Sequence, residues 1–225
     1  MDKVSISIVT YNNADKICDL LHSIIQYTKR VSYKIYVVDN CSSDNTIETI
    51  KDNFPSVHVL QLEKNVGFGE GHNQLLNVID SQYHAIMNPD IIINADAISD
   101  LVNYLDTVSD VVMVTPRIIN TDGTEQYLPK KKPTLRYLIS GRLKFSKYFL
   151  KLRNEYTMQD YAAEEPIDVD LTLRAKEYGR IIFNPKISAV HGWERSSAKN
   201  IKFLLIHINS MIKFFWKWKN KKFIQ

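Results

Sequence analysis

The residues that decide the fold are Val4-Ser5-Ile6-Ser7-Ile8-Val9-Thr10-Tyr11-Asn12, near the start of the chain. Apolar and polar side chains alternate over 4–8, a period of two that predicts a β-strand, ending here at Thr10. Apolar residues at helical spacing follow at Ile17, Leu20, Leu21, Ile24 and Ile25. A strand that leads at once into an amphipathic helix is the repeating unit of an α/β protein.

The same unit repeats along the first half of the chain. Short stretches rich in apolar residues predict further strands at 33–38, 57–62, 84–87 and 111–114. Helices are predicted after the N-cap candidates Ser42, Ser43 and Asp44, at 75–79 behind a glycine-containing loop, and at 98–105. Strands alternating with helices predict a mostly parallel sheet flanked by helices, which is a Rossmann-like arrangement.

The second half has weaker patterns. A turn is predicted at 120–123, where Gly123 ends a polar run, and a short helix at 171–178 is stopped by Gly179. Strands are predicted at 181–183 and 187–190, and an amphipathic helix at 201–218.

Polar residues follow four of the predicted strands at the point where each strand ends. Parallel α/β sheets bind their ligands in the crevice at the carboxyl ends of the strands. The stretches that meet there are Thr10-Tyr11-Asn12, Asp39-Asn40, Asn65 to Gly71, and Asn88-Pro89-Asp90. Their convergence predicts a binding crevice at this edge of the sheet.

Each of these stretches has a structural interpretation beside the functional one. A carboxylate at Asp39 can accept the N3–H of uracil or thymine, or it can close a turn. Asp90 can hold Mg²⁺ or Mn²⁺ with a diphosphate, although Asn88-Pro89-Asp90 is also typical of a turn. His191 follows a predicted strand and can reach a metal or a phosphate, but a single histidine is more often structural.

The glycine run at 67–71 has a further use. Glycines at Gly67, Gly69 and Gly71 let the backbone approach a ligand closely, ahead of a helix N-terminus that attracts anions. The spacing fits neither the dinucleotide fingerprint nor the Walker A motif.

Taken in order, these motifs resemble the family 2 glycosyltransferases of GT-A fold, and especially their rhamnosyltransferase-like branch. The stretches that carry the resemblance are 8–12, 37–44, 65–73 and 87–90, with weaker matches at 116–117, 122–124, 168–174, His191 and 196–197. The resemblance implies inverting transfer of a sugar from a UDP- or dTDP-sugar to a hydroxyl of a polysaccharide or lipid-linked glycan acceptor.

The resemblance also implies roles for individual residues. The nucleotide-sugar would be bound by Thr10, Tyr11, Asn12, Asp39, Asn65, Gly67, Gly71, Asn88 and Asp90. Asn88 stands where the family's D-x-D motif normally has its first Asp. Asp90 and His191 would hold Mn²⁺ or Mg²⁺, and Asp168 would be the general base that deprotonates the acceptor hydroxyl.

The sequence departs from the family pattern before Asp168. The run Glu165-Pro166-Ile167-Asp168 leads directly into Val169-Asp170-Leu171, where the family normally inserts a strand, an Arg-rich turn and a Gly-Gly-Phe-Asp-Glu stretch. Three parts are therefore expected: a nucleotide-sugar-binding half at 1–118, a shortened acceptor-side half at 119–198, and a basic helix at 199–225. The alternative is a non-catalytic nucleotide-sugar-binding remnant or partner protein that has lost its acceptor site.

The composition is typical of a globular protein in a reducing compartment. The 225 residues are 44% hydrophobic and 24% charged, which is ordinary for a globular protein. Two cysteines and the absence of a leader-like segment at the start lead us to expect a reducing cytoplasm.

The basic C-terminal stretch admits two interpretations. No acidic residue follows Glu194, and Lys217 stands between Trp216 and Trp218. The stretch either lies peripherally on the anionic inner face of the cell membrane or forms a solvated helix face. No nucleic acid is expected as a partner, because no recognised RNA- or DNA-binding motif accompanies the basic clusters.

Overall fold

The computed structural model describes residues 2–126, 151 and 174–192. Its elements in chain order are β1 (Asp2–Thr10), α1 (Ala14–Tyr27), β2 (Tyr33–Asp39), α2 (Thr46–Asn53), β3 (His58–Gln61), α3 (Phe68–Asn73), β4 (Ser81–Met87), β5 (Ile91–Ile92), α4 (Ala97–Thr107), β6 (Val111–Asn120), β7 (Glu125–Gln126) and β8 (Arg180–His191). Helices and strands alternate from β1 to β4, which confirms the predicted α/β class.

The first sheet consists of four parallel strands in the order β3-β2-β1-β4. β1 lies between β2 and β4, and every residue from Val4 to Thr10 is buried. A strand covered on both faces is typical of a parallel sheet. The register pairs Thr10 with Asp39 and Ile8 with Met87, so the carboxyl ends of these three strands lie along one edge.

Helix α1 packs its predicted apolar face into the core. Ile17, Leu20, Leu21 and Ile24 are fully buried, together with Val4, Ile6 and Ile8 of β1. Ile25 is 38% exposed, because it lies at the margin of the apolar stripe. Helix α4 also follows its prediction: Ile98 and Val102 join the same cluster.

The second sheet is mixed and has the order β5-β8-β6-β7. β8 runs parallel to β6 and antiparallel to β5, and β7 folds back on β6 through the predicted turn at 120–123. The two strands expected at 181–183 and 187–190 are one strand. Its ladder shifts register between Pro116 and Arg117, which pair with Asn184 and Ser188. Pro116 and Pro185 have no N–H to donate, so an irregularity at this point separates two apolar stretches of one strand.

The glycine run differs from its prediction. The residues expected to form a loop are helical from Phe68, and the helix expected at 75–79 is a series of turns. Leu75 N–H donates to the His72 carbonyl and Leu76 N–H to the Asn73 carbonyl, both of which are the i-to-i+3 bonds of β-turns. Leu75 is buried, but Leu76 is 68% exposed, so the apolar spacing did not mark a buried helix face.

Two other local predictions need correction. The N-cap of helix α2 is Asn45 and not one of the candidates Ser42, Ser43 and Asp44, although Asp44 Oδ1 accepts the Thr46 N–H at 3.1 Å. Strand β4, expected to be buried, is half-buried and exposed at alternate positions, because among the described strands it pairs only with β1.

The serines of β1 are buried in a polar network. Ser7 Oγ lies 2.8 Å from His72 Nδ1 of α3 and 2.9 Å from His84 Nε2 of β4, and Ser5 Oγ lies 2.8 Å from His84 Nδ1. Burial, with a smaller effect of His84, lowers the pKa of His72 to about 4. The pKa of His84 is also lowered, mainly by burial. Both rings are therefore neutral at pH 7.

All described residues belong to one compact unit, Met1–Gly192. β6 crosses the boundary expected at 118, and the division into 1–118, 119–198 and 199–225 stays a prediction. The predicted C-terminal amphipathic helix and Asp168 lie outside the described residues. Within the described part of the chain, no helix is both long and apolar enough to cross a bilayer.

Candidate functional site

The strand ends border a cavity of about 350 Å³ that is open to solvent. It lies at the carboxyl edge of the first sheet, where such folds bind ligands. Of the residues predicted to bind the nucleotide-sugar, the cavity is lined by Thr10, Tyr11, Asn65, Gly67, Asn88 and Asp90. Val9, Asn13, Asn40, Phe68 and Pro89 complete the described lining.

Asp39 and Thr10 form a pair of buried polar groups at the base of this edge. They are register partners at the ends of β2 and β1, and neither is more than 1% exposed. Asp39 Oδ2 accepts the Ser42 N–H at 2.9 Å, whereas Asp39 Oδ1 and Thr10 Oγ1 have no hydrogen-bond partner among the described residues. Buried polar atoms without partners are costly. Thr10 lines the cavity, whereas Asp39 is not among the described lining residues, and its role in binding a nucleotide stays a prediction.

Asn12 supports the loop after β2 instead of lining the cavity. Its backbone φ is 51°, its N–H donates to Ser42 Oγ at 2.9 Å, and its Oδ1 accepts the Ser43 N–H at 2.8 Å. Asn12 therefore joins the end of β1 to the turn that holds Asp39, and the neighbouring Asn13 reaches the cavity. Within the same loop Cys41 has a φ of 67°, and its Sγ lies 3.4 Å from the Glu63 carbonyl.

Asn65, Gly67 and Phe68 form one wall of the cavity. Asn40 Oδ1 accepts the Val66 N–H at 2.8 Å, and Asn65 Oδ1 accepts the Gly67 N–H at 3.0 Å. Gly67 has a φ of 87°, a conformation that favours glycine.

Gly71 has a packing role beside this wall. A Cβ on Gly71 would lie 2.9 Å from Val9 Cγ2, so glycine lets α3 lie close against β1. Gly71 does not line the cavity.

Asp90 lines the cavity and faces His191, which is not among the described lining residues. His191 Nε2 lies 3.1 Å from Asp90 Oδ1, and the Gly192 N–H donates to the Asp90 carbonyl at 3.0 Å. Burial acts to raise the pKa of Asp90, but the hydrogen bond and charge of His191 outweigh it and leave that pKa lowered. The expected turn is also present, because the Ile91 N–H donates to the Asn88 carbonyl at 3.3 Å.

The Asp90–His191 pair fits a cation that arrives with a ligand. A carboxylate and an imidazole are good ligands for Mn²⁺, and Mg²⁺ takes mostly oxygens. Among the described residues there is no group of three or more His, Cys, Asp or Glu side chains able to hold a metal. Two protein ligands leave the other positions to ligand oxygens and water.

Some residues of the site were missed by sequence reasoning. Asn13 and Phe68 fell inside or beside motifs that were recognised, but nothing singled them out. Gln126, which contacts His191, had no sequence signal, because its position depends on how β7 pairs with β6. Asp168 lies outside the described residues and stays a prediction.

The sequence model of the protein family glycosyl transferase family 2 matches residues 5–163 of this chain. This is well over half of the chain, and the chain therefore belongs to glycosyl transferase family 2.

Individual relatives agree with this family. The poly(ribitol-phosphate) beta-N-acetylglucosaminyltransferase TarS of Staphylococcus aureus is 28% identical over 148 residues, which cover 64% of this chain and 26% of that protein. TarP, of the same description and species, is 32% identical over 108 residues, or 46% of this chain and 33% of that protein. The chain thus spans about a quarter to a third of the length of these curated relatives.

Solved structures agree on the fold. The crystal structure of S. aureus TarS 1–349 in complex with UDP superimposes with a TM-score of 0.57 at 20% identity, covering 85% of this chain and 61% of that chain. The likeness confirms the GT-A fold. The rhamnosyltransferase-like branch stays a prediction.

Proposed function

We propose that the protein transfers a hexosyl group from a UDP- or dTDP-sugar to a hydroxyl of a glycan or lipid-linked acceptor, with inversion at the sugar carbon. The observation that carries the proposal is the pair of unpartnered buried atoms, Asp39 Oδ1 and Thr10 Oγ1, beside a polar cavity.

The chemistry of this pair fits a uracil or thymine base. Both bases present an N3–H donor flanked by two carbonyl acceptors. Asp39 Oδ1 would accept the N3–H, and the Thr10 hydroxyl would donate to a neighbouring carbonyl. Cytosine has no proton at N3 and would leave Asp39 Oδ1 unpaired.

Asp90 and His191 would hold Mn²⁺ or Mg²⁺ together with the donor's diphosphate. This is supported by the 3.1 Å distance between His191 Nε2 and Asp90 Oδ1. Both side chains are also partly buried, with 26% of Asp90 and 12% of His191 exposed. The chemistry that a bound cation supplies there is neutralisation of charge on the leaving diphosphate. Asn88, which lines the cavity two residues before Asp90, would contact the ribose.

The acceptor side rests on the family resemblance. Asp168 would remove the proton of the acceptor hydroxyl as that oxygen attacks the sugar carbon and the sugar–phosphate bond breaks. The relatives' names point to N-acetylglucosamine as the sugar and poly(ribitol phosphate) as the acceptor. A lipid-linked acceptor would bring the basic C-terminal stretch to an anionic membrane surface.

Thermal melting with nucleotides tests the donor site. UDP or dTDP at about 100 times its dissociation constant adds roughly 2.7 kcal/mol, which raises the Tm by about 5–10 °C for a chain of this size. We expect this rise with UDP and dTDP in the presence of Mn²⁺, a smaller rise with GDP, and loss of the Mn²⁺-dependent part in Asp90→Ala. No rise with any nucleotide would contradict the proposal.

A second candidate is a nucleotide-sugar-binding protein without transferase activity. It is favoured by the missing segment before Asp168. Transfer from UDP-N-acetylglucosamine and dTDP-rhamnose to poly(ribitol phosphate) and lipid-linked glycans separates the two. Nucleotide binding with no transfer to any of these would favour the second candidate.

A further inference from the structure

His191 is held through both of its ring nitrogens. Nε2 lies 3.1 Å from Asp90 Oδ1, and Nδ1 lies 3.0 Å from Gln126 Nε2 at the end of β7. The side chain of His191 is only 12% exposed, so the ring has little freedom to turn. Whether Nδ1 carries the proton of the neutral ring therefore decides whether Nε2 faces Asp90 with an N–H or with a lone pair.

The partner of Nδ1 determines the tautomer of the ring. The amide nitrogen of Gln126 can only donate, so Nδ1 accepts and the proton of the neutral ring sits on Nε2, facing Asp90. In that tautomer Nε2 has no lone pair for a cation. A ligating Nε2 requires the proton on Nδ1, and hence an acceptor in place of the amide nitrogen.

The carboxamide of Gln126 can supply that acceptor by turning over. Gln126 Nε2 also donates to Asn120 Oδ1 at 2.5 Å, and Asn120 Nδ2 donates to Thr124 Oγ1 at 2.8 Å. If both amides turn, Gln126 Oε1 accepts from Asn120 Nδ2 and from His191 Nδ1–H, and the hydrogen bonds of Gln126 keep their number. The Thr124 hydroxyl, which donates to Asp122 Oδ1, must then turn to donate to Asn120 Oδ1. Asn120 is also the register partner of His191 across β6 and β8, so the three side chains are held together.

We propose that Gln126, acting with Asn120, is a positioning residue that selects the tautomer of His191 and so controls whether His191 can bind a divalent cation beside Asp90. In the cation-free protein the pair holds the proton on Nε2, which bonds Asp90. Cation binding is coupled to the turning of the two amides. This inference rests on the proposed cation site at Asp90 and His191.

Substitution of Asn120 tests the proposal, because the tautomer mechanism and simple charge attraction predict opposite changes in Mn²⁺ affinity. Asn120→Asp places an acceptor-only group against Gln126, which fixes the amide nitrogen toward both neighbours and locks the proton on Nε2. The new negative charge near the cavity would by itself strengthen cation binding. The tautomer mechanism predicts the opposite, a weaker affinity for Mn²⁺ in the presence of UDP.

Three variants of the full chain complete the design. Gln126→Met removes both hydrogen-bonding roles, and Asn120→Asp locks one of them. Glu125→Gln is the control, because adjacent residues of a strand point to opposite faces. Mn²⁺ affinity with UDP, measured by electron paramagnetic resonance of the free ion, should fall about tenfold or more in Asn120→Asp and stay unchanged in Glu125→Gln. Gln126→Met loses both the opposing and the supporting hydrogen bond, so its readout is the tautomer and not the affinity.

A spectrum of the cation-free protein reads the tautomer directly. With ¹⁵N-labelled histidine, and His191→Asn to assign its signals, wild type and Asn120→Asp should show the proton on Nε2, and Gln126→Met a mixture. A wild-type proton on Nδ1, an unchanged tautomer in Gln126→Met, or tighter Mn²⁺ binding by Asn120→Asp would overturn the proposal. Wild type that binds no Mn²⁺ with UDP would overturn the cation site itself, and the spectrum would still decide whether Gln126 sets the tautomer.

Discussion

The two oxygens of Asp39 have different environments, and the proposed choice of nucleotide depends on this difference. Oδ2 is fixed by the Ser42 N–H, so the side chain cannot turn without losing that bond. Oδ1 remains as a buried acceptor of fixed direction. A fixed acceptor discriminates between bases by whether they carry a proton at the matching position.

Asp39→Asn should change the nucleotide that the protein binds. The amide oxygen would keep the Ser42 bond, so the amide nitrogen would replace Oδ1 and face the base as a donor. A donor opposite the N3–H of uracil costs about 1–3 kcal/mol, whereas the unprotonated N3 of cytosine would accept it. We expect the Tm rise with UDP to shrink and a rise with CDP to appear, measured by thermal melting.

Asp44→Asn is the matched control for this change. Asp44 belongs to the same loop and holds Thr46, but it does not line the cavity. Its substitution should leave the preference for UDP over CDP as in wild type. Asp39→Asn protein that still prefers UDP would show that Oδ1 does not contact the base.

At the scale of elements, the contact between α3 and β1 depends on one glycine. Val9 is a buried, β-branched residue with little rotamer freedom, so it cannot move away from a Cβ at Gly71. Gly71→Ala should lower the free energy of unfolding by about 1–3 kcal/mol in denaturant titrations without ligand.

Gly69→Ala provides the comparison within the same helix. No atom lies within 4 Å of a Cβ at this position, and alanine is the better helix former by about 1 kcal/mol. This variant should therefore be as stable as wild type or more stable. Equal destabilisation by the two substitutions would contradict the close packing of α3 on β1.

The serine–histidine network between β1, β4 and α3 should make stability depend on pH. The pKa of His72 is about 4 in the folded protein and about 6.5 when unfolded, so the unfolded chain binds more protons between these values. The contribution of neutral His72 is complete above pH 6.5 and is lost as pH falls toward 4, about 2 kcal/mol by pH 5. Unfolding free energies at pH 7 and pH 5 measure it.

His72→Asn should reduce this dependence, because asparagine can accept a hydrogen bond from the Ser7 hydroxyl without titrating, while His84, whose pKa is also lowered, keeps its own share. His58→Asn is the control, since His58 is exposed and lies outside the network. A wild-type slope that survives in His72→Asn would place the acid sensitivity elsewhere.

At the scale of the whole molecule, the site joins two sheets. The cavity is built on the first sheet, and His191 is the last residue of β8 in the second. His191→Ala should therefore leave the Tm rise with UDP alone unchanged and remove the further rise with Mn²⁺. Lys186 is exposed on the same strand, and Lys186→Ala should keep both the Tm rise with UDP and the further rise with Mn²⁺. Loss of the UDP response in His191→Ala would mean that the second sheet also holds the nucleotide.

The sequence allowed prediction of features set by local patterns. The alternation at 4–8 and the helical spacing of α1 and α4 follow from neighbours in the chain, and so do the polar strand ends that line the cavity. β8 could not be foreseen as one strand, because its continuity depends on pairing with β6. Leu75 and Leu76 have helical spacing, but tertiary contacts bury only Leu75. The role of Gln126 likewise depends on a distant strand.

The Cys41 thiol, next to the cavity wall, offers a built-in reporter of the proposed nucleotide binding. The chain has two cysteines, and burial together with Asp19 and Asp15 raises the pKa of the Cys18 thiol, which slows its reaction with alkylating dyes. Cys41 follows Asn40 of the cavity wall. An environment-sensitive fluorophore attached at Cys41 would therefore respond to nucleotide binding in the natural sequence, and Cys41→Ser would remove the signal.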